Sequence, residues 1–210
     1  MEILKNKMAR ATNARRKRIL RSGTFSVGRR ALAFLLSGIL CLPLCARTAT
    51  AQASPPGEYQ LKAAFLFNFA KFIDWPSSSF TDSRSDFSIC ILGSDPFGPA
   101  MDQMLQGKTI ADRHVAVERT HEIAGTRHCQ VVFVSPSEKP HIREILDGLR
   151  GTAALIVGDT DGFAAAGGAI QFAIEDNRVR FLINTDATER AGLKVSSKLL
   201  SLARVVHDAA

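Results

Sequence analysis

The sequence lacks any run of the roughly 20 apolar residues that a helix needs to cross a bilayer. Its apolar run Ala31 to Ala46 is 16 residues long and is interrupted by Pro43. No glycine-rich loop ends in Gly-Lys-Ser/Thr, which excludes a phosphate-binding loop of that type. The stretch Gly158-Asp159-Thr160-Asp161-Gly162 also lacks the carboxylate spacing and terminal Glu of a calcium loop, and turns with a short helix account for its glycines. No nucleophile stands on a strained strand-to-helix elbow. Ser196-Ser197-Lys198 reads as a helix cap followed by a solvated lysine rather than a Ser-Lys pair. His114, His121, His128, His141 and His207 never fall at two-ligand spacing on one helix or strand, so neither a metal site nor a cofactor is expected. These gaps argue against an enzyme.

What the chain does have is a basic N-terminus. Lys5, Lys7, Arg10, Arg15, Arg16, Lys17, Arg18, Arg21, Arg29 and Arg30 precede the apolar run. Ala51-Gln52-Ala53 then offers small residues at the −3 and −1 positions of a cleavage site. Residues 1–53 are expected to be a signal peptide with a long n-region, cleaved before Ser54, with Met8 an alternative start. Large residues before Cys45, in Leu42-Pro43-Leu44-Cys45, fit lipoprotein processing poorly. The predicted location is the periplasm, with no transmembrane segment in the mature chain.

The segment 1–53 holds 11 of the 27 Lys and Arg but only one acid, Glu2, which leaves 16 basic against 19 acidic groups in residues 54–210. The apparent basicity therefore belongs to the leader and is no nucleic-acid footprint. The 157 residues that remain make one domain able to bury a core.

Two of the four cysteines leave with the leader, and Cys90 and Cys129 stay. In an oxidising compartment such a pair reads as a disulfide, contributing about 4 kcal/mol in the chain-entropy model. Two buried thiols, or a reactive Cys129 beside His128, are the alternatives.

Along the mature part, Glu58 to Trp75 has a helical apolar period through Leu61, Phe65, Leu66, Phe69, Phe72 and Ile73, and stops at Pro76. Tyr59, Phe67 and Trp75 fall outside that stripe. Such a helix is either wrapped by its own domain or turns part of its face, with Phe65, Phe67, Phe69, Phe72 and Trp75, to a partner or a second copy. Short apolar runs at Phe87–Leu92, Val115–Arg119, Cys129–Val134 and Ala153–Val157 alternate with helices. One of these helices is expected to start at Pro96, capped by Asp95. Ala169–Glu175 and Arg178–Asn184 predict a hairpin around Asp176-Asn177, and a helical tail broken near Gly192 turns Leu199, Leu200, Ala203 and Val206 inward. The fold class is α/β: a single three-layer α/β/α domain with a mixed, mostly parallel sheet and a C-terminal β-hairpin plus helix. Cys90 and Cys129 fall on strands that such sheets often set side by side. Ser94, Asp95, Ser135, Ser137 and Asp159 sit in loops after parallel strands, where α/β folds commonly hold small molecules.

Several stretches together resemble the YfiR-like periplasmic repressors of membrane diguanylate cyclases. They are Tyr59 to Phe72 with Trp75-Pro76, Ile89-Cys90-Ile91-Leu92-Gly93 with Asp95-Pro96-Phe97-Gly98, Gly162-Phe163-Ala164 with Gly167-Gly168, Arg180 to Asn184, and Arg190 to Leu200. The resemblance implies a protein that binds the periplasmic sensor region of a membrane diguanylate cyclase and holds it inactive, lowering cyclic di-GMP and biofilm formation. It also implies a homodimer, and a disulfide where Cys90 and Cys129 fall. A second cysteine pair found in the later half of other members is absent. A periplasmic small-ligand sensor acting with a membrane receptor is the other function the sequence suggests.

Overall fold

The computed structural model describes residues Gly57–Asp208. The expected leader and its cleavage site lie outside the described residues.

Helix α1 spans Glu58–Lys71. The Gln60 side chain accepts the Gly57 amide at 3.1 Å, and Glu58 and Lys71 lie at the ends that the helix dipole favours for their charges. The helix ends four residues before the predicted Trp75. The Phe72 amide still reaches the Asn68 and Phe69 carbonyls, but Ile73–Asp74 (β1) then turns extended and pairs antiparallel with Lys194–Val195 (β9). Pro76 disfavours helix at Trp75, and the indole Nε1 instead donates to the Ala70 carbonyl at 2.9 Å.

The main sheet has eight strands. In chain order they are β2 (Phe87–Leu92), β3 (Thr109–Ile110), β4 (Arg113–Thr120), β5 (Val131–Val134), β6 (Leu155–Gly158), β7 (Ile170–Glu175), β8 (Arg178–Asn184) and β10 (Arg204–Val206). Across the sheet the order is β10-β8-β7-β6-β5-β2-β4-β3. The pairings β4–β2–β5–β6–β7 and β8–β10 are parallel, and β3–β4 and β7–β8 are antiparallel. Every residue of β2 and β5 is buried, as expected of parallel strands covered on both faces. The β7–β8 hairpin turns at Asp176 and Asn177, both with φ between 50° and 58°, the left-handed pair that a two-residue turn of this hand requires.

Helices α2 (Pro99–Leu105), α3 (Ile142–Gly148), α4 (Thr185–Arg190) and α5 (Ser197–Leu200) complete the chain. Helix α2 begins at Pro99, not at Pro96. Asp95 accepts the Phe97 amide at 2.7 Å and closes a turn, and Gly98 sits at φ 59°, which no helix continues through. Cys129 precedes β5 rather than opening it, three residues after a 3-10 turn over Ile123–Thr126, and its amide donates to the Thr126 carbonyl at 3.1 Å. Ser196 caps α5, its hydroxyl accepting the Leu199 amide. The expected inward-facing helix through Ala203 and Val206 is instead β10, because the consecutive β-branched Val205 and Val206 take the free edge of β8.

Two apolar clusters lie on opposite faces of the sheet. One joins Leu66 and Phe69 of α1, Met101 and Leu105 of α2, and Ile89, Ile91, Val131, Phe133, Phe172 and Phe181 of the strands. The other joins Cys90, Leu92, Val132 and Val134 to Ile145, Leu146 and Leu149 around α3. In the loop after β6, the Phe163 ring lies where side chains on Gly158 and Gly168 would have to go. Packing thus explains those two glycines. Phe69, fully buried among Phe65, Phe172 and Phe181, should lose about 3–5 kcal/mol on replacement by Ala, and Gly168→Ala about 1–3 kcal/mol through overpacking against Phe163. Chemical denaturation measures both, and a Gly168→Ala midpoint equal to wild type would contradict the packing assigned to Phe163.

Candidate functional site

Helix α1 carries an ionisable residue on its buried stripe: Lys62 falls one and two turns before Leu66 and Phe69. Its side chain is 2% exposed. Nζ bonds both Asp159 carboxylate oxygens at 2.7 Å and also pairs with Glu58, one turn earlier. The Tyr59 hydroxyl donates to Asp159 at 2.8 Å, and Lys62 lies 4.7 Å from the Tyr59 ring centroid. Burial first, and then the hydrogen bond to Asp159, hold the Tyr59 hydroxyl well above the ordinary tyrosine range, so it stays a donor. Asp159 follows β6 directly, and the network fastens α1 to the carboxyl edge of the sheet.

The other residues expected at that edge also bond within the protein. The Ser137 hydroxyl accepts the Ser94 amide at 3.0 Å and donates to Glu138, and Ser135 accepts the Ser137 amide. Asp95 accepts from Arg119 Nε at 2.7 Å, and Arg119 also forks onto Asp102 at 2.5 and 3.0 Å. Arg119 holds the Asp102 carboxyl below its usual range. Ser94 and Ser137 therefore meet, whereas Asp95 is drawn toward β4 and Asp159 toward α1.

The five aromatic positions of the first helix separate. Phe69 is core. Trp75 packs edge-on against Phe87 at 5.2 Å. Phe65 is half-buried, leaning on Phe172 and Phe181. Phe67 and Phe72 are half-buried at the helix flanks beneath Lys71 and Lys198. Leu61, 43% exposed, shares one flank with Phe65 and Phe72 by helical spacing.

On the opposite face Cys90 and Cys129 form a disulfide. His128 Nε2 lies 3.0 and 3.1 Å from the Glu118 oxygens and 3.7 Å from Cys129 Sγ. Burial of Glu118 works against its charge but is outweighed by hydrogen bonds from His128 and Ser88, and its carboxyl stays below the usual glutamate range. A cavity of about 530 Å³ opens beside α3, with Leu146, Leu149, Ala154 and Ile156 on its walls and Arg150, Arg190 and Asp208 at its polar side, where Arg190 pairs with Asp208 and Arg150 with Asp147. None of Ser94, Asp95, Ser135, Ser137 or Asp159 lines it.

Sequence reasoning missed the Lys62 network and this cavity. The first had a visible signal, a lysine at a core position of an otherwise apolar stripe with Glu58 four residues earlier. The second had none, because its lining comes from four separate segments.

The features above define a disulfide-tied three-layer α/β domain with a charged fastener under its first helix. Residues 59–204 match the YfiR/HmsC-like family, and the chain belongs to that family. The family consists of periplasmic, non-catalytic regulators of diguanylate cyclases. Among solved structures, a conserved domain protein from Vibrio cholerae O1 biovar El Tor is 9% identical with a TM-score of 0.47, over 70% of this chain and 60% of that one. An ABC domain from Streptococcus pneumonia in complex with L-Trp is 11% identical with a TM-score of 0.41, over 57% of this chain and 55% of the other. The chain thus spans less than two thirds of either. Among the described residues no helix is long and apolar enough to cross a membrane.

Losing one member of the buried pair strands the other's charge. Asp159→Ala should cost about 3–5 kcal/mol, whereas Lys62→Met with Asp159→Leu, which removes both charges, should cost markedly less than Asp159→Ala alone. Urea unfolding of the two variants tests this, and equal losses would mean the charges are not what fastens α1.

Proposed function

We propose that the protein binds the periplasmic sensor region of a membrane diguanylate cyclase and holds the enzyme inactive, thereby lowering cyclic di-GMP and biofilm formation. Family membership across residues 59–204 carries this reading. The residues that support it are on α1 and at its C-terminal end, where Leu61 is exposed and Phe65, Phe67 and, just past the helix, Phe72 are half-buried. Phe69 and Trp75 shape that surface from beneath. Repression requires that the chain bind the inactive arrangement of the sensor more tightly than the active one. A second copy of this chain could pair through the same flank, which sedimentation would detect.

Residues 1–53 act in this reading as the export signal, and the disulfide fits the oxidising compartment it leads to. Leu61→Glu with Phe72→Glu should lower affinity for the sensor region by about thirtyfold, equivalent to about 2 kcal/mol. In cells the same variant should raise cyclic di-GMP. Unchanged nucleotide levels with a folded variant and the cognate cyclase present would sink the proposal.

The cavity beside α3 favours a second reading, in which a small amphipathic molecule binds there and the protein reports it to a membrane receptor. A ligand at 100 times its dissociation constant stabilises the fold by about 2.7 kcal/mol. A thermal-shift screen of amino acids, nucleotides and peptidoglycan fragments should then give a hit that Arg190→Ala abolishes. Silence across the screen would leave the first reading alone.

A further inference from the structure

The histidine spacing of the sequence offers no metal site, yet the fold gathers four groups of metal-ligating type that spacing along the chain does not reveal. Among the described residues, Cys90 Sγ, Cys129 Sγ, a His128 ring nitrogen and a Glu118 carboxylate oxygen all lie within 4.8 Å of one another. The four come from three segments. Cys90 and Glu118 are register partners on the adjacent parallel strands β2 and β4 and so share a face. His128 and Cys129 end the turn that leads into β5.

We propose that reduction of the Cys90–Cys129 disulfide turns this cluster into a four-coordinate zinc site, with two thiolates, one imidazole nitrogen and one carboxylate oxygen as ligands. Zinc takes S, N and O donors tetrahedrally at about 2.3, 2.0–2.1 and 2.0–2.2 Å, so ligand atoms in such a site stand about 3.3–3.8 Å apart. The His128 nitrogen already stands 3.7 Å from Cys129 Sγ and 3.0 Å from Glu118. The two sulfurs must part, which rotation about their side chains allows with the Cα atoms 6.0 Å apart, and the remaining ligand atoms, all within 4.8 Å of one another, need only small shifts.

Electrostatics favours the cation. Once reduced, Cys90 and Cys129 sit among Leu92, Val132, Val134 and Ile145, where burial opposes a bare thiolate. A divalent ion supplies the missing positive charge, and Glu118 and the neutral imidazole complete its shell. The His128 and Glu118 side chains are 50% and 42% exposed, so the cluster has a mouth through which an ion can reach buried sulfurs.

The chemistry balances with a dithiol reductant. Two electrons and two protons pass from the dithiol to the protein disulfide: the Cys90–Cys129 bond breaks, and the reductant closes its own disulfide. Zinc then displaces both thiol protons to solvent. The tie between β2 and the turn before β5 is thereby kept in either redox state, by a covalent bond when oxidised and by coordination when reduced.

The test uses the folded protein, oxidised and anaerobically reduced, titrated with Zn²⁺ against a chromophoric chelator and with Co²⁺ as a spectroscopic probe. The reduced protein should take up one Zn²⁺ with release of two protons and show a thiolate-to-cobalt charge-transfer band. The oxidised protein and Cys90→Ser with Cys129→Ser should show none of these. Glu118→Gln and His128→Ala should each weaken zinc by about tenfold or more, since loss of even an outer-shell partner costs about 10–100-fold. Circular dichroism and a second titration in denaturant locate the binding. Zinc held equally well by the unfolded chain, unchanged affinity in both Glu118→Gln and His128→Ala, or no uptake on reduction would each overturn the proposal.

Discussion

The placement of α1 depends on one buried ionic contact, that of Lys62 with Asp159. A lysine with its side chain almost wholly out of water must be paired, and the Asp159 carboxylate answers it with both oxygens, while Glu58 and the Tyr59 hydroxyl close the shell. The bond fixes where the helix lies along its axis and how it is rotated. With Lys62, Leu66 and Phe69 turned to the sheet, Leu61, Phe65 and Phe72 are left along one flank, and Phe67 along the other. Had an apolar residue stood at position 62, hydrophobic burial would hold the helix down equally well but would not specify its rotation, since α1 is apolar nearly all round.

The opposite face has its own fastener. The disulfide joins the middle of β2 to the turn before β5, two strands whose register already matches over Ile89 to Leu92. To a pairing of four fully buried residues it adds a covalent tie, worth about 4 kcal/mol in the chain-entropy model. Its effect falls on the turn Ile123–Thr126 and on His128, which it anchors beside Glu118 on β4. The sheet is therefore pinned on one side by charge and on the other by sulfur, at points far apart in the chain.

How much of this could be read beforehand follows from how local each signal is. The apolar runs of β2 and β5 and the hairpin turn at Asp176-Asn177 are written in neighbouring residues, and so is the cap at Ser196. Those elements, and the layered fold they imply, were legible. The early end of α1 was not, because β1 exists only by pairing with β9, about 120 residues away. Asp95-Pro96 reads as a helix start, but the Asx turn to Phe97 and the left-handed Gly98 delay the helix by three residues. Likewise β10 reads as the continuation of a helix until the open edge of β8 is there to receive it. The Lys62 network and the four-group cluster at Cys129 assemble across strands, and no periodicity along the chain encodes such meetings. The conditional character of Asp159 is the instructive case. Its place in a loop after a parallel strand suggests a ligand contact, whereas its actual partner is the protein's own lysine.

In the proposed reading, the energetic scale of repression bears on the size of the surface. Moving a sensor from almost wholly active to almost wholly inactive takes a difference in binding of about 5.5 kcal/mol between its two states. Aromatic anchors at interface centres contribute about 2 kcal/mol or more each, so about three such side chains reach that scale, provided the flank is held in one arrangement. A flank free to rotate would adapt to both states and discriminate between neither. In the proposed reading, the expense of burying Lys62 is the cost of a fixed surface: the pair adds little net stability over an apolar replacement, but it would remove alternative seatings of α1 that let the flank fit either state of a partner.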